Sequence, residues 1–191
     1  MTQEEIDQVI NDFAAAARRA KQAGYDGVEI HSAHEYLLNE FYSPITNKRD
    51  DAYTGSTLEG RIRLHCQIIQ AVREAVGKDY PVSLRLGALD YAEGSSTIED
   101  AVQACQRFEQ EGVDMVSISG GLCGYRKPDA KGEGYFGEES QAVKQAVSIP
   151  VLLTGGVRTK EGAEQLLAEG KADLIGVGRP VFKSGSWAPE E

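Results

Sequence analysis

The chain has 191 residues, with 30 Asp and Glu against 20 Lys and Arg, a formal charge of −10, and its mean hydropathy is −0.37. This acidic balance argues against a nucleic-acid partner, which needs a basic surface; no apolar run approaches the ~18 residues of a membrane span, and the polar, acidic N-terminus does not read as a secretory signal. Three cysteines, Cys66, Cys105 and Cys123, without a C-x-x-C pair, fit neither a disulfide framework nor a zinc knuckle, so a cytoplasmic globular chain is expected.

No low-complexity stretch or Ser/Pro linker divides the sequence, and 1–191 reads as a single domain. A first helix opens at Thr2, with Glu5 completing a capping box; Ile6, Val9, Ile10, Phe13 and Ala17 follow at helical spacing, and Gly24 stops it. A short strand, Gly27 to Ile30, comes next. A second helix is predicted over about Thr57 to Val76, stopping at Gly77, before Pro81 introduces the strand Val82 to Leu86. The pattern then repeats three times: helix Thr97 to Glu111 with strand Val113 to Ser119, helix Glu138 to Val147 with strand Val151 to Thr154, and helix Lys160 to Glu169 with strand Leu174 to Val177. Three joints echo one another, Gly24-Tyr25-Asp26, Gly112-Val113-Asp114 and Gly170-Lys171-Ala172-Asp173, each a helix-stopping Gly just before an Asp that opens a strand.

Five strands alternating with five helices are too few for a closed (β/α)₈ barrel and enough for an open doubly wound sheet. The positions of the polar residues decide between them. His31, His34, Arg85, Ser119, Gly155, Gly156, Gly178 and Arg179 all fall at or just after strand ends. Functional groups on every C-terminal strand end are the habit of a barrel, whereas an open sheet gathers them at one switch point. The expectation is a partial (β/α)₈ barrel of about five parallel strands.

Two consecutive strand ends carry glycines, Thr154-Gly155-Gly156-Val157-Arg158 and Gly176-Val177-Gly178-Arg179-Pro180. Glycine lets backbone N–H groups come close to phosphate oxygens, and Arg179 adds a charged fork, so a phosphate site is predicted here; tight turns with a surface arginine are the plainer alternative. His31 and His34 can direct two imidazole N–H donors at one oxygen, and Tyr36 offers a weakly acidic hydroxyl as a proton donor. A complete metal ligand set is absent around them. His65 belongs to an amphipathic helix, where packing or surface is its expected role. Arg85, inside Val-Ser-Leu-Arg-Leu, is costly to bury without an electron-rich cofactor edge or an internal carboxylate as partner. The polar run Ser43 to Asp51 reads as a structured active-site loop, with internal charge pairing as the alternative, and Tyr125 and Arg126 are candidates to shape a pocket.

These residues together resemble the flavin-dependent Old Yellow Enzyme family of NAD(P)H:flavin oxidoreductases and ene-reductases. The matching segments include Gly24 to His31, Ala33-His34, Tyr36-Leu37, Ser43-Pro44 with Asn47, Arg49 and Asp51, then Arg85-Leu86, Gly112-Val113-Asp114, Gly155-Gly156 and Asp173 to Pro180. The resemblance implies a barrel carrying FMN across its C-terminal mouth. Arg85 would sit at the flavin pyrimidine edge, with His31 also beside the cofactor, and Gly155, Gly156, Gly178 and Arg179 would hold the FMN phosphate. His31 and His34 would bind the oxygen of a small activated alkene such as an enone. Flavin N5 would give hydride, Tyr36 a proton, and NADH or NADPH would reduce the flavin beforehand. Glu35 stands where the family often has Gly, and Thr54 interrupts the usual Tyr-Gly-Gly-Ser.

The resemblance also implies that the barrel's first three strands precede Thr2, so this chain is expected to be the C-terminal five-strand portion. An opened barrel is then expected to expose apolar lining and two strand edges, inviting a homo-oligomer or swapped assembly. Two alternatives stand beside the enzyme reading. One is a catalytically silent portion that keeps only a phosphate- or flavin-binding surface. The other is another phosphate-binding flavoenzyme barrel of the dihydroorotate type, against which His31, His34 and Tyr36 argue.

Overall fold

A reciprocal cap, Thr2 Oγ1 accepting from the Glu5 N–H and the Glu5 carboxylate accepting from the Thr2 N–H, starts helix α1 (Gln3–Gln22) in the computed structural model, which describes residues 1–185 and 187. The order continues β1 (Val28–Ser32), α2 (Leu37–Tyr42), α3 (Leu58–Val76), β2 (Val82–Leu89), α4 (Ile98–Gln110), β3 (Met115–Gly120), α5 (Gly137–Lys144), β4 (Val151–Leu153), α6 (Lys160–Ala168), β5 (Leu174–Ile175) and α7 (Arg179–Ser184). The five expected strands and five long helices are all present. Helices α2 and α7, of 6 residues each, were not expected, because fewer than two turns leave no apolar period to read. In α7 the preset φ of Pro180 starts the turn. Strand β2 runs on to Leu89 because its end pairs with β3, whereas β5 pairs only with β4 and stops at Ile175.

All five strands are parallel and lie in the order β1-β2-β3-β4-β5. Spatial order therefore equals chain order with no reversal, which removes the doubly wound alternative and leaves the geometry of consecutive barrel units. Alternation along each strand sorts the side chains. Ile30, Leu84, Leu86, Val116, Ile118, Val151 and Leu153 are buried in the core beneath the helices, and each contributes about 1.5–3 kcal/mol by leaving water.

The opposite, concave face corrects one expectation. It is mostly polar and not a continuous apolar lining: Glu29, His31, Ser83, Arg85, Ser117, Ser119 and Thr154 occupy it, with Met115, Leu152 and Leu174 as its apolar members. Exposed strand edges therefore remain as the main reason for association, and the apolar part of the concave surface is limited to Met115, Leu152 and Leu174.

The repeated Gly-to-Asp joint acquires a mechanical meaning. Asp114 accepts the N–H of Val82, which opens the preceding strand, at 2.8 Å, and pairs with Arg73 of α3 at 2.6 Å. Asp173 does the same two units later, accepting from Val151 N–H at 2.9 Å and pairing with Lys144 of α5. Each carboxylate thus ties a strand start to the previous helix. Asp26 occupies the same place before β1 and makes no such bond among the described residues. Asp114→Ala should cost about 1–2 kcal/mol in urea unfolding, and Asp26→Ala should stay within about 0.5 kcal/mol. Equal losses in the two variants would refute this assignment.

Candidate functional site

The C-terminal ends of the strands enclose a cavity of about 420 Å³. His34, Arg85, Gly155, Gly156, Gly178 and Arg179 all line it, so residues spread over almost 150 positions of sequence meet in one place. His31 and Tyr36 stand beside this lining. The His31 ring lies edge-on to His34 and to Tyr36, both at 5.2 Å between centroids, and Tyr36 is exposed at the rim.

The turn after β1 explains how His34 reaches the cavity. His34 and Glu35 both take left-handed backbone, φ 60° and 66°, and the His34 N–H bonds the Gly120 carbonyl at 3.4 Å. The ring is thereby folded back to β3, where Nε2 lies 2.8 Å from Ser119 Oγ. A left-handed conformation costs an L residue about 1 kcal/mol or more, and glycine avoids it. A glycine at this position, as the resemblance implies, would carry no such cost. Glu35→Gly is expected to raise stability by about 0.5–1 kcal/mol in urea unfolding, and a destabilised variant would contradict the strain.

Arg85 is the electrostatic centre. Its Nε is buried without a hydrogen-bond partner, and no carboxylate pairs with the guanidinium among the described residues. The internal-carboxylate alternative therefore fails. Burial and then the Arg85 charge hold the His31 pKa below its ordinary value, against an opposing pull from Glu29. Burial, Arg85 and His31 together push His34 down to about 4. At neutral pH both imidazoles are uncharged, each with one donor and one acceptor nitrogen, facing a fixed cation.

The glycine loops divide into two kinds. Gly155 and Gly156 have φ 106° and 75°, and a Cβ on them would run into the Phe136 and Tyr135 rings respectively. Their lack of side chains is thus required by packing as well as by turn geometry. Gly178 differs: its φ is −114° and a Cβ there would meet nothing within 4 Å, so its backbone faces open space. The guanidinium of Arg179 stacks over Tyr135 at 5.9 Å. Tyr135 was not foreseen as part of the site. Its only trace in the sequence is the aromatic pair Tyr135-Phe136 ahead of α5, and nothing local ties that pair to glycines twenty residues on.

Other candidates resolve differently. The segment Ser43 to Asp51 does not line the cavity; it is a structural knot. Ser43 Oγ donates to Asp90 at 2.5 Å, Asn47 Nδ2 donates to the Phe41 and Tyr53 carbonyls at 2.9 and 3.0 Å, and Arg49 pairs with Asp51. Tyr125 does line the cavity, with Arg126 stacked on its ring. His65 is fully buried, its Nε2 2.7 Å from Ser32 Oγ. Among the described residues no cluster of His, Cys, Asp or Glu could hold a metal ion, and no helix is long and apolar enough to cross a membrane.

Comparison with known proteins adds a family to this geometry. The family model described as "NADH:flavin oxidoreductase / NADH oxidase family" matches residues 1–189. A NADH oxidase of Thermoanaerobacter brockii is 39% identical, over 98% of this chain and 29% of that protein. A NADPH dehydrogenase of Geobacillus thermodenitrificans is 37% identical, over 98% of this chain and 54% of its own length. A solved 2-naphthoyl-CoA reductase complex superimposes with a TM-score of 0.88 at 33% identity, covering 96% of this chain and 28% of that one. The chain therefore spans between roughly a quarter and a half of the length of these relatives.

Proposed function

This chain belongs to the NADH:flavin oxidoreductase / NADH oxidase family, and on that premise we propose that residues 1–191 are the C-terminal portion of an FMN-binding (β/α)₈ barrel that uses NADH or NADPH to reduce activated C=C bonds of enone type. The observation that carries this reading is the buried, unpartnered Nε of Arg85 on the wall of a cavity that also holds Arg179. A cationic side chain whose Nε finds no partner within the protein suits an electron-rich group in the cavity it lines, and a flavin pyrimidine edge is one. The open backbone at Gly178 and the adjacent Arg179 suit a phosphate, with Gly155 and Gly156 shaping the loop opposite.

Bound FMN supplies a two-electron hydride carrier that a nicotinamide can recharge. Arg85 opposes negative charge at the cofactor edge. His31 and His34, both neutral, donate N–H to the substrate carbonyl oxygen and draw charge toward it, and Tyr36 holds at its hydroxyl the proton destined for the substrate α-carbon.

Titration of the purified chain with FMN, followed by flavin fluorescence, should show saturable quenching that Arg85→Leu weakens; identical titrations for the two proteins would refute the assignment of Arg85. The greater length of the relatives favours a second reading, in which this portion binds flavin without turning over. Bleaching of the bound flavin by NADPH separates the two. Association with another copy now rests on the free edges of β1 and β5, and sedimentation of a monomer would exclude it.

A further inference from the structure

We propose that Ser119 is a positioning residue: its hydroxyl fixes the ring of His34 as the tautomer protonated on Nδ1. Ser119 is buried at the end of β3, and its Oγ lies 2.8 Å from His34 Nε2. Two arrangements of that hydrogen bond are conceivable, and the surroundings choose between them. If Nε2–H donated to Oγ, the serine hydroxyl would have to donate elsewhere, and among the described residues no carbonyl or carboxylate accepts from it. If Oγ–H donates to Nε2, both groups are satisfied, and the remaining proton of the neutral imidazole must sit on Nδ1. The left-handed backbone at His34 and its N–H bond to Gly120 hold the ring in reach, so the contact does not depend on side-chain rotation alone.

A neutral histidine free in water carries its proton mainly on Nε2, so the serine reverses the intrinsic preference. The consequence is specific: His34 offers Nδ1–H, not Nε2–H, as its free donor. Its use on a substrate oxygen rests on the function proposed above, but the tautomer does not. Failure of the flavin titration would leave this inference standing, and failure of this inference would leave flavin binding untouched.

The test is a long-range ¹⁵N–¹H correlation spectrum of the labelled 191-residue chain at neutral pH, with the His34 signals identified by their loss in His34→Gln. The expected pattern is a protonated Nδ1 and an unprotonated Nε2. Ser119→Ala should move His34 toward the Nε2–H pattern, and Ser119→Thr, which keeps the hydroxyl, should restore the original one. A predominantly Nε2–H signal in the unaltered chain overturns the proposal without any variant. So does an unchanged pattern in Ser119→Ala, since a merely structural serine would leave the nitrogen shifts where they are.

Discussion

Between pH 6.5 and 4.5 the chain should lose stability as acid is added, and His65→Gln should remove about 1.4 kcal/mol per pH unit from that slope. His65 is fully buried, stacked on Phe108 at 5.5 Å and bonded to Ser32 Oγ. Burial pushes its pKa from 6.5 down to about 3. The unfolded chain therefore takes up a proton near pH 6.5 that the folded chain refuses until about 3. The stabilisation is complete above 6.5 and is lost progressively as pH falls toward 3, on the order of 5 kcal/mol in all.

His31 and His34, also held below their ordinary values, act in the same direction. The carboxylates with lowered pKa, among them Asp100, Asp173 and Glu133, have unfolded values of 3.8 to 4.5, so their contributions fade only below that range. The window above 4.5 thus belongs to the histidines. Urea midpoints taken at several pH values check this. The Gln variant should start about 2 kcal/mol less stable at neutral pH, having lost the stacked ring, and should then follow a flatter line. Parallel lines for the two proteins would show that His65 is not refusing a proton.

What the sequence could reveal here follows the range of the interactions. Caps at Thr2, Thr57 and Thr97, and helix stops at Gly24, Gly77 and Gly112, are local chemistry, so the long helices stood out. The polar concave face was also written in the alternation Glu29/His31, Ser83/Arg85 and Ser117/Ser119, yet the runs looked apolar because their helix-facing members are Val, Ile and Leu. Arg85 stood out for the same reason in reverse, a single cation in an aliphatic run. Tyr135 did not, because its role depends on packing against Gly156 and under Arg179, contacts across 21 and 44 positions. Of Ser43 to Asp51 the internal charge pairing was legible, as Arg49 with Asp51; the local bonds of Asn47 to the Phe41 and Tyr53 carbonyls were not, and the bond of Ser43 to the Asp90 carboxylate depends on where the chain returns. Polar side chains advertise chemistry in a sequence, but only the fold shows whether it is directed inward as structure or outward at a ligand.

For Arg179 that direction is outward, and its substitution should separate FMN from riboflavin, two ligands that differ only in the phosphate. Arg179 opens α7 at the cavity rim and has no acidic partner among the described residues; its guanidinium is steadied by the Tyr135 ring. A charge-assisted bond from an exposed arginine is worth about 1.5 kcal/mol. Arg179→Ala should therefore weaken FMN binding about tenfold and leave riboflavin affinity unchanged. Arg179→Lys should recover part of the loss, since a point charge replaces a planar fork. Tyr135→Leu should lower FMN affinity by a smaller factor, because it removes the ring under the guanidinium, about 0.5–1 kcal/mol, while Leu still fills part of the space against Gly156. Arg85→Leu supplies the contrast, since a group at the ring edge should affect both ligands alike. Raising the salt concentration should reduce the preference for FMN, as screening acts on the phosphate and not on the ring. If Arg179→Ala weakened riboflavin and FMN equally, the Gly-Arg turn would be serving the fold of the cavity and not an anion within it.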